Sequence, residues 1–290
     1  MQRTRDEGQR TLTIKLIAVD LDGTLLNSRS ELSRANQEAL AEAAARGVEI
    51  VVVTGRRYHS AWPFVAQIPC PVTLISSNGA RIGTSTGDVF RRDFLPRAVA
   101  RRVLEIALEH RPYTVLIFDV AGRGQVVMHH DAAAESPLAW YRRNSPDCLL
   151  QVPDLPAALR EDPIQVMFGG PPDRMEPIEP LLRASPAATS VHLTWTRYLT
   201  RHVSILDCMT RGCTKGRALA LWSERSGISP SQVMAIGDNY NDFEMLEFAG
   251  HPILMGNGCE GLQNPRWRNT LSNDEDGVAV AVHKYVLNGE

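Results

Sequence analysis

Short apolar runs rich in β-branched residues alternate along this chain with longer amphipathic stretches carrying alanine, arginine and glutamate. Ile14–Val19, broken only by Lys15, reads as a strand buried on both faces. Ser30-Glu31-Leu32-Ser33 offers a capping serine before an Ala-rich helix over about 33–46, and Gly47 stands where a helix-terminating glycine belongs. Val48–Val53 is a second buried strand, a helix follows over about 57–67, and Val72–Ser76 is a third strand. Strand, helix, strand in that order implies parallel pairing through right-handed crossovers. The pattern resumes late in the chain with a helix from about 215 through Ser226 and a fourth parallel strand, Gln232–Ile236.

Between residues 84 and 207 the pattern changes. Ala80–Ile82 and Val89–Arg91 flank a turn and read as a hairpin. A helix over 97–110, a strand at Thr114–Asp119 and a second hairpin into Gln125–Met128 follow. Then come a strand at Ile164–Phe168, a helix over about 173–184, and strands near 190–195 and 202–207. Pro146, Pro153, Pro156, Pro171 and Pro172 punctuate the stretch with turns. Antiparallel strands mixed with helices read as an α+β unit inserted into a parallel sheet. The expected organisation is α/β, with a core over 13–83 and 208–290 and an inserted domain over 84–207.

Composition adds boundaries to this picture. A chain of 290 residues suits two domains, and 43% hydrophobic residues supply real cores. A net charge of −2 gives no electrostatic reason to expect nucleic acid or an anionic membrane as partner. The five cysteines are odd in number and form no Cys-x-x-Cys pair, which suits reduced thiols in a cytoplasmic protein. Residues 1–13 lack the apolar core of a secretion signal, and no apolar run approaches the roughly 20 residues needed to cross a bilayer. A soluble, intracellular protein is expected; its oligomeric state is not written in the sequence.

The chemistry gathers at strand ends, where open α/β sheets bind their ligands. Asp20-Leu21-Asp22-Gly23-Thr24 places two carboxylates two residues apart, and such groups repel unless a cation or proton separates them. A solvated turn in which aspartates satisfy backbone N–H groups is the plainer reading. Thr54 and Gly55 end the second strand, offering a hydroxyl and free N–H groups suited to phosphate oxygens. Ser77-Asn78-Gly79 ends the third, with the composition of an Asn-Gly turn. Lys215 stands at a helix start, where a cation is disfavoured unless it faces an anion. Asp238 ends the fourth strand, and Asp242, which could be a plain N-cap, returns to the same side one helical turn later beside Asn241.

These four segments, in this order, resemble motifs I to IV of the haloacid dehalogenase superfamily, in the Cof-type branch (subfamily IIB) of mostly phosphatases. The resemblance covers about 14–83 and 204–286, including the segments Leu254–Gly258 and Thr270–Val278. It implies a Rossmann-like core whose insert is a cap closing over the catalytic centre. It implies Asp20 as nucleophile, Asp22 as general acid/base, and Lys215 as the neutralising cation. Mg²⁺ would be held by Asp20, Asp238 and the Asp22 backbone carbonyl, with Asp242 behind them, and phosphate by Leu21, Thr54, Gly55, Lys215 and Asn241, with Asn78 as a substrate contact. The implied activity is Mg²⁺-dependent hydrolysis of a small phosphorylated metabolite, a sugar phosphate among the candidates. A phosphomutase, a phosphorylated-disaccharide phosphatase and a non-catalytic phosphate sensor are the alternatives. Two other features stand out in the insert. His129-His130-Asp131 could bind metal, but alternation along a strand would send neighbouring side chains to opposite faces. Trp195-Thr196-Arg197-Tyr198 could form an aromatic and cationic platform for a sugar or organic phosphate, or be ordinary cap surface.

Overall fold

The computed structural model describes residues 14–132, 141–142, 145–198 and 202–289; the polar stretch 1–13 lies outside the described residues. In chain order the elements are β1 (Leu16–Val19), α1 (Arg34–Ala45), β2 (Glu49–Val53), α2 (Tyr58–Val65), β3 (Val72–Ser76), β4 (Arg81–Thr84) and β5 (Val89–Arg92). They continue with α3 (Arg97–Ile106), β6 (Thr114–Ile117), β7 (Val126–His129), β8 (Leu149–Val152), β9 (Gln165–Gly170), β10 (Val191–Tyr198) and β11 (Val203–Thr210). After the helix Lys215–Arg225 come β12 (Val233–Gly237), β13 (His251–Leu254) and β14 (Arg268–Asn269).

One sheet has the order β14-β13-β12-β1-β2-β3-β4-β5, parallel from β14 to β3 and antiparallel beyond. Strands β1, β3 and β12 are buried along their whole length, as their mostly apolar sequences favour. Val19 pairs with Ile236 on one side and Val52 on the other, so β12, β1 and β2 end level with one another. The chain leaves β1 for β2 on one side and later returns to β12 on the other. That reversal opens the crevice at a topological switch point. One face packs against α1, α2 and the helix Gly277–Val282, the other against the helices Lys215–Arg225 and Phe243–Phe248.

A second sheet has the order β10-β11-β9-β6-β7-β8, with β7 and β8 parallel and its other pairs antiparallel. Leu116, Val166, Phe168, Leu206 and Cys208 point to one face and pack with α3 and the helix Ile178–Arg183. Their neighbours Val115, Ile117, Met167, Ile205 and Met209 point to the other and meet Ala80 and Cys213 of the first unit. The alternation follows from the period of two along a strand.

Several element bounds differ from the sequence reading. β5 lies within the stretch assigned to the insert, yet it pairs with β4 and extends the first sheet, while β11 runs on to Thr210. The helix expected over 97–110 ends at Ile106 and continues as 3-10 turns over Leu108–Tyr113, around Pro112. The helix expected over 173–184 is two short ones, Pro172–Met175 and Ile178–Arg183. Pro177 falls between them, and its missing N–H cannot continue a helical ladder. The five cysteines are unpaired, four of them buried, and among the described residues no helix is long and apolar enough to cross a membrane.

Candidate active site

Asp20 leaves β1 into a tight loop closed by hydrogen bonds from Leu25 N–H to Asp20 O and from Leu26 N–H to Leu21 O. Gly23 has φ +82°, and a Cβ there would lie 2.5 Å from Asp238 Oδ2, so the loop can pass Asp238 only as glycine. Thr24 Oγ1 donates to Asp238 Oδ1 at 2.7 Å, tying the first strand end to the fourth. The C-terminal segments brace this loop: Asn257 Nδ2 donates to Gly23 O and Asn273 Nδ2 to Leu26 O. The Leu21 side chain is buried in the core, which leaves its main chain as the part available to a ligand.

Lys215 resolves the oddity of a cation at a helix start. The lysine is 1% exposed, and its Nζ donates to Asp20 Oδ1 at 2.5 Å and to Asp242 Oδ1 at 2.7 Å. Thr214 caps that helix by accepting from Arg217 N–H. Burial alone would depress the Lys215 pKa, but Asp20 and Asp242 outweigh it and raise it. The other Asp242 oxygen accepts from the N–H groups of Asp238 and Asn239, so both carboxylate oxygens are engaged. Asp242 therefore holds the lysine and the loop in place from behind.

Carboxylate oxygens of Asp20, Asp238 and Asp242 lie within 4.8 Å of one another. Burial, with the charges of Asp242 and Asp22, lifts Asp20 to about 7 against the opposing pull of Lys215. Burial and the same crowding raise Asp238 well above the carboxylate range. One lysine does not neutralise this cluster. An all-oxygen donor set with surplus negative charge fits a hard divalent cation.

Thr54 Oγ1 accepts from Arg56 N–H, which leaves its hydroxyl proton for a ligand oxygen. Thr54, Gly55 and Asn241 line a cavity of about 360 Å³ with Asp20 and Asp22. Asn78 is placed differently from a substrate contact. Its Oδ1 accepts from Asn241 Nδ2 at 3.0 Å and its Nδ2 donates to Asp207 Oδ2 at 2.8 Å, so it bridges the core to the second sheet. The backbone there is left-handed at Ser77 and Asn78, and Gly79 packs directly on the Thr214 carbonyl.

Sequence reasoning passed over several residues that the structure brings to the cavity. Arg56 grips Asp22 with both forks, Nε to Oδ2 at 2.6 Å and Nη2 to Oδ1 at 2.5 Å, and stacks on Phe64. From the second sheet come Ile117, Gln165, Met167 and Asp207, together with Thr196 and Tyr198 of the segment that the sequence offered as a platform. Burial, then the charges of Asp22, Asp20 and Asp238, push the Tyr198 hydroxyl well above its ordinary pKa. Thr196 and Tyr198 face the cavity, so Trp195 and Arg197 face away: Trp195 Nε1 donates to Glu179, and Arg197 lies over the Trp195 ring. Asn239 joins the two units, accepting from Arg197 N–H and donating to Arg197 O. An aspartate inside the apolar run Ile205-Leu206-Asp207-Cys208-Met209 was the signal available for Asp207.

The other cluster behaves differently from its sequence reading. β7 ends at His129, so strand alternation stops there and the His129 and His130 rings stack at 4.3 Å beside Asp131. His129 Nδ1 accepts from Asp131 N–H and Nε2 meets Pro153 O, so both nitrogens of that ring are engaged.

The chain is 30% identical over 289 residues to Phosphatase YwpJ of Bacillus subtilis, covering 92% of this chain and 98% of that one. It is also 30% identical over 285 residues to a chloroplast protein of Arabidopsis thaliana named Endoribonuclease YBEY, covering 93% of this chain but only 46% of that longer one. The structure of a haloacid dehalogenase-like hydrolase from B. subtilis superposes with a TM-score of 0.77 at 25% identity, covering 94% of this chain and all of the other (100%). A family model for haloacid dehalogenase-like hydrolases matches residues 17–282, and the chain belongs to that family, in its Cof-type phosphatase branch.

Proposed function

We propose that this phosphoric monoester hydrolase is a Mg²⁺-dependent phosphatase that cleaves a small phosphorylated metabolite through a phosphoryl group carried on Asp20. The observation that carries the reading is the Lys215 ammonium, held between Asp20 and Asp242 and buried at the mouth of β1. A buried lysine in that position fixes the Asp20 side chain and favours its ionised, nucleophilic form. When bound by Asp20, Asp238 and the Asp22 main chain, Mg²⁺ would supply charge neutralisation for phosphate oxygens.

The rest follows from the chain's own groups. An Asp20 oxygen forms a bond to phosphorus as the bond to the ester oxygen breaks. Thr54 Oγ1–H, the main-chain N–H groups near Leu21 and Gly55, and Asn241 stand where they can take the equatorial oxygens. Arg56 holds both Asp22 oxygens; for the acid step Asp22 takes a proton from solvent, turns that oxygen from the guanidinium to the leaving oxygen and passes the proton to it. The resulting carboxylate then takes a proton from water. That water's oxygen attacks phosphorus, the bond to Asp20 breaks, and inorganic phosphate leaves. The second sheet supplies the wall of the cavity that faces the carboxylates.

The test is phosphate release from a panel of small phosphate monoesters with Mg²⁺ or with EDTA, for the natural chain and Asp20→Asn. Release that needs Mg²⁺ and falls at least about 10³-fold in Asp20→Asn is the expected result. An isomeric phosphate ester without inorganic phosphate would instead make the protein a mutase, and release unaffected by EDTA or by Asp20→Asn would overturn the reading.

A further inference from the structure

At the end of β7 the chain turns sharply, and Ala132 N–H donates to the His129 carbonyl at 3.0 Å to close the turn. Three metal-ligating side chains occupy consecutive positions there, His129 only 6% exposed, His130 and Asp131 exposed. One ring nitrogen of each histidine and a carboxylate oxygen of Asp131 lie within 4.8 Å of one another.

The partners of the two rings assign their protons. His129 Nε2 lies 2.9 Å from the Pro153 carbonyl, and His130 Nδ1 lies 3.3 Å from the Val152 carbonyl. A carbonyl oxygen only accepts, so these nitrogens carry the protons, and in the neutral rings His129 Nδ1 and His130 Nε2 are bare. Both bare nitrogens meet the Asp131 carboxylate, Nδ1 at 3.6 Å from Oδ2 and Nε2 at 3.1 Å from Oδ1. Lone pairs that face one another in this way call for a proton or a cation between them. The Asp131 N–H at His129 Nδ1 is the one contact an ion would replace. It belongs to an exposed turn residue, where water can take it over.

Geometry and donor type select the ion. With ligand atoms about 2.0–2.2 Å from a tetrahedral Zn²⁺, neighbouring ligand atoms stand about 3.3–3.6 Å apart, close to the 3.1 and 3.6 Å observed. Two imidazoles and a carboxylate suit Zn²⁺ and similar transition-metal ions, whereas Mg²⁺ takes oxygen ligands. Backbone carbonyls behind both rings hold them in orientation, as the outer hydrogen bonds of metal-bound histidines do. The three residues line a cavity with Arg111, Thr114 and Asp154 that shares no lining residue with the catalytic cavity, so a fourth coordination position is open to water.

We propose that His129 Nδ1, His130 Nε2 and Asp131 bind one Zn²⁺-class ion, which clips the end of β7 to Val152 and Pro153 at the end of β8. The site is separate from the catalytic carboxylates and does not depend on the phosphatase reading.

The test is calorimetric titration of the metal-free full chain with Zn²⁺ in excess Mg²⁺, for the natural chain, His130→Ala, Asp131→Ala and Asp238→Asn. The expected result is one Zn²⁺ per chain that Mg²⁺ does not displace. Its affinity falls at least about tenfold in His130→Ala and in Asp131→Ala and is retained in Asp238→Asn. Both substituted turn residues are exposed, so these variants should keep the natural circular dichroism spectrum. X-ray absorption of the one-to-one complex should show two imidazole nitrogens and no sulfur around the ion. Binding unchanged by both turn substitutions, loss of the ion in Asp238→Asn alone, or sulfur in the ligand shell overturns the site. Absence of binding overturns it as well and leaves a plain ion pair between His130 and Asp131.

Discussion

At the scale of single residues, the site is a set of charges held by specific partners. Arg56 is bonded through both forks to Asp22, and a lysine there would keep the charge without the paired geometry. Arg56→Ala should lower kcat by about 10²-fold, with Arg56→Lys recovering only part of it, in steady-state assays. An unchanged kcat would mean that the clamp does not orient Asp22. Asp242 is fully buried and holds Lys215 and two backbone N–H groups. Removing it leaves those three donors short of an acceptor, so Asp242→Ala should lose about 3–5 kcal/mol of unfolding free energy in denaturant titration. A loss under about 1 kcal/mol would show that water replaces it.

At the scale of elements, the two sheets were legible to different degrees. The first could be read because β1, β2, β3 and β12 are short, mostly apolar runs ending in polar, glycine-bearing turns and separated by helical stretches, the pattern of a parallel sheet. Asp20, Thr54, Lys215 and Asp238 were found because each follows a strand end or opens a helix. The second sheet was legible as antiparallel strands and helices but not by face. Gln165, Thr196, Tyr198 and Asp207 reach the cavity through strand phase, and a one-residue error in phase reverses every side chain. Trp195 and Arg197, conspicuous by type, fall on the opposite phase for that reason. Arg56 was hidden differently, since its partner Asp22 is 34 residues away in sequence. The Asn239 side chain, paired with both polar groups of the Arg197 backbone, links the two units beside the site. Asn239→Ala removes both bonds and should raise KM roughly five- to thirty-fold with little change in kcat, as expected when about 1 kcal/mol per bond goes into closing the cavity. A fall in kcat at constant KM would place Asn239 in the chemical step instead.

At the scale of the whole molecule, the facing units keep carboxylates out of water, and stability should record this as a pH dependence. Burial raises Asp207 to about 7, with Asn78 and Lys215 opposing, whereas an unfolded aspartate titrates near about 4. Between those values the folded chain retains a proton that the unfolded chain has released. This contribution is full below about pH 4 and is lost as pH rises through 7. In EDTA, Asp207→Asn should therefore flatten the fall of stability across that window by up to about one proton; a steeper fall would contradict the sign. The central claim concerns Asp20, and a covalent phosphoryl group is its most direct signature. p-Nitrophenyl phosphate has a leaving group that needs little acid assistance, so Asp22→Asn should still form the phosphoenzyme and then stall for want of a base. The measurement is rapid mixing of Asp22→Asn with this ester and Mg²⁺, followed by acid quenching and peptide mass spectrometry. The account predicts a burst of about one nitrophenol per active chain, with the phosphoryl group on the peptide at Asp20. No burst and an unmodified Asp20, alongside continued turnover, would contradict it.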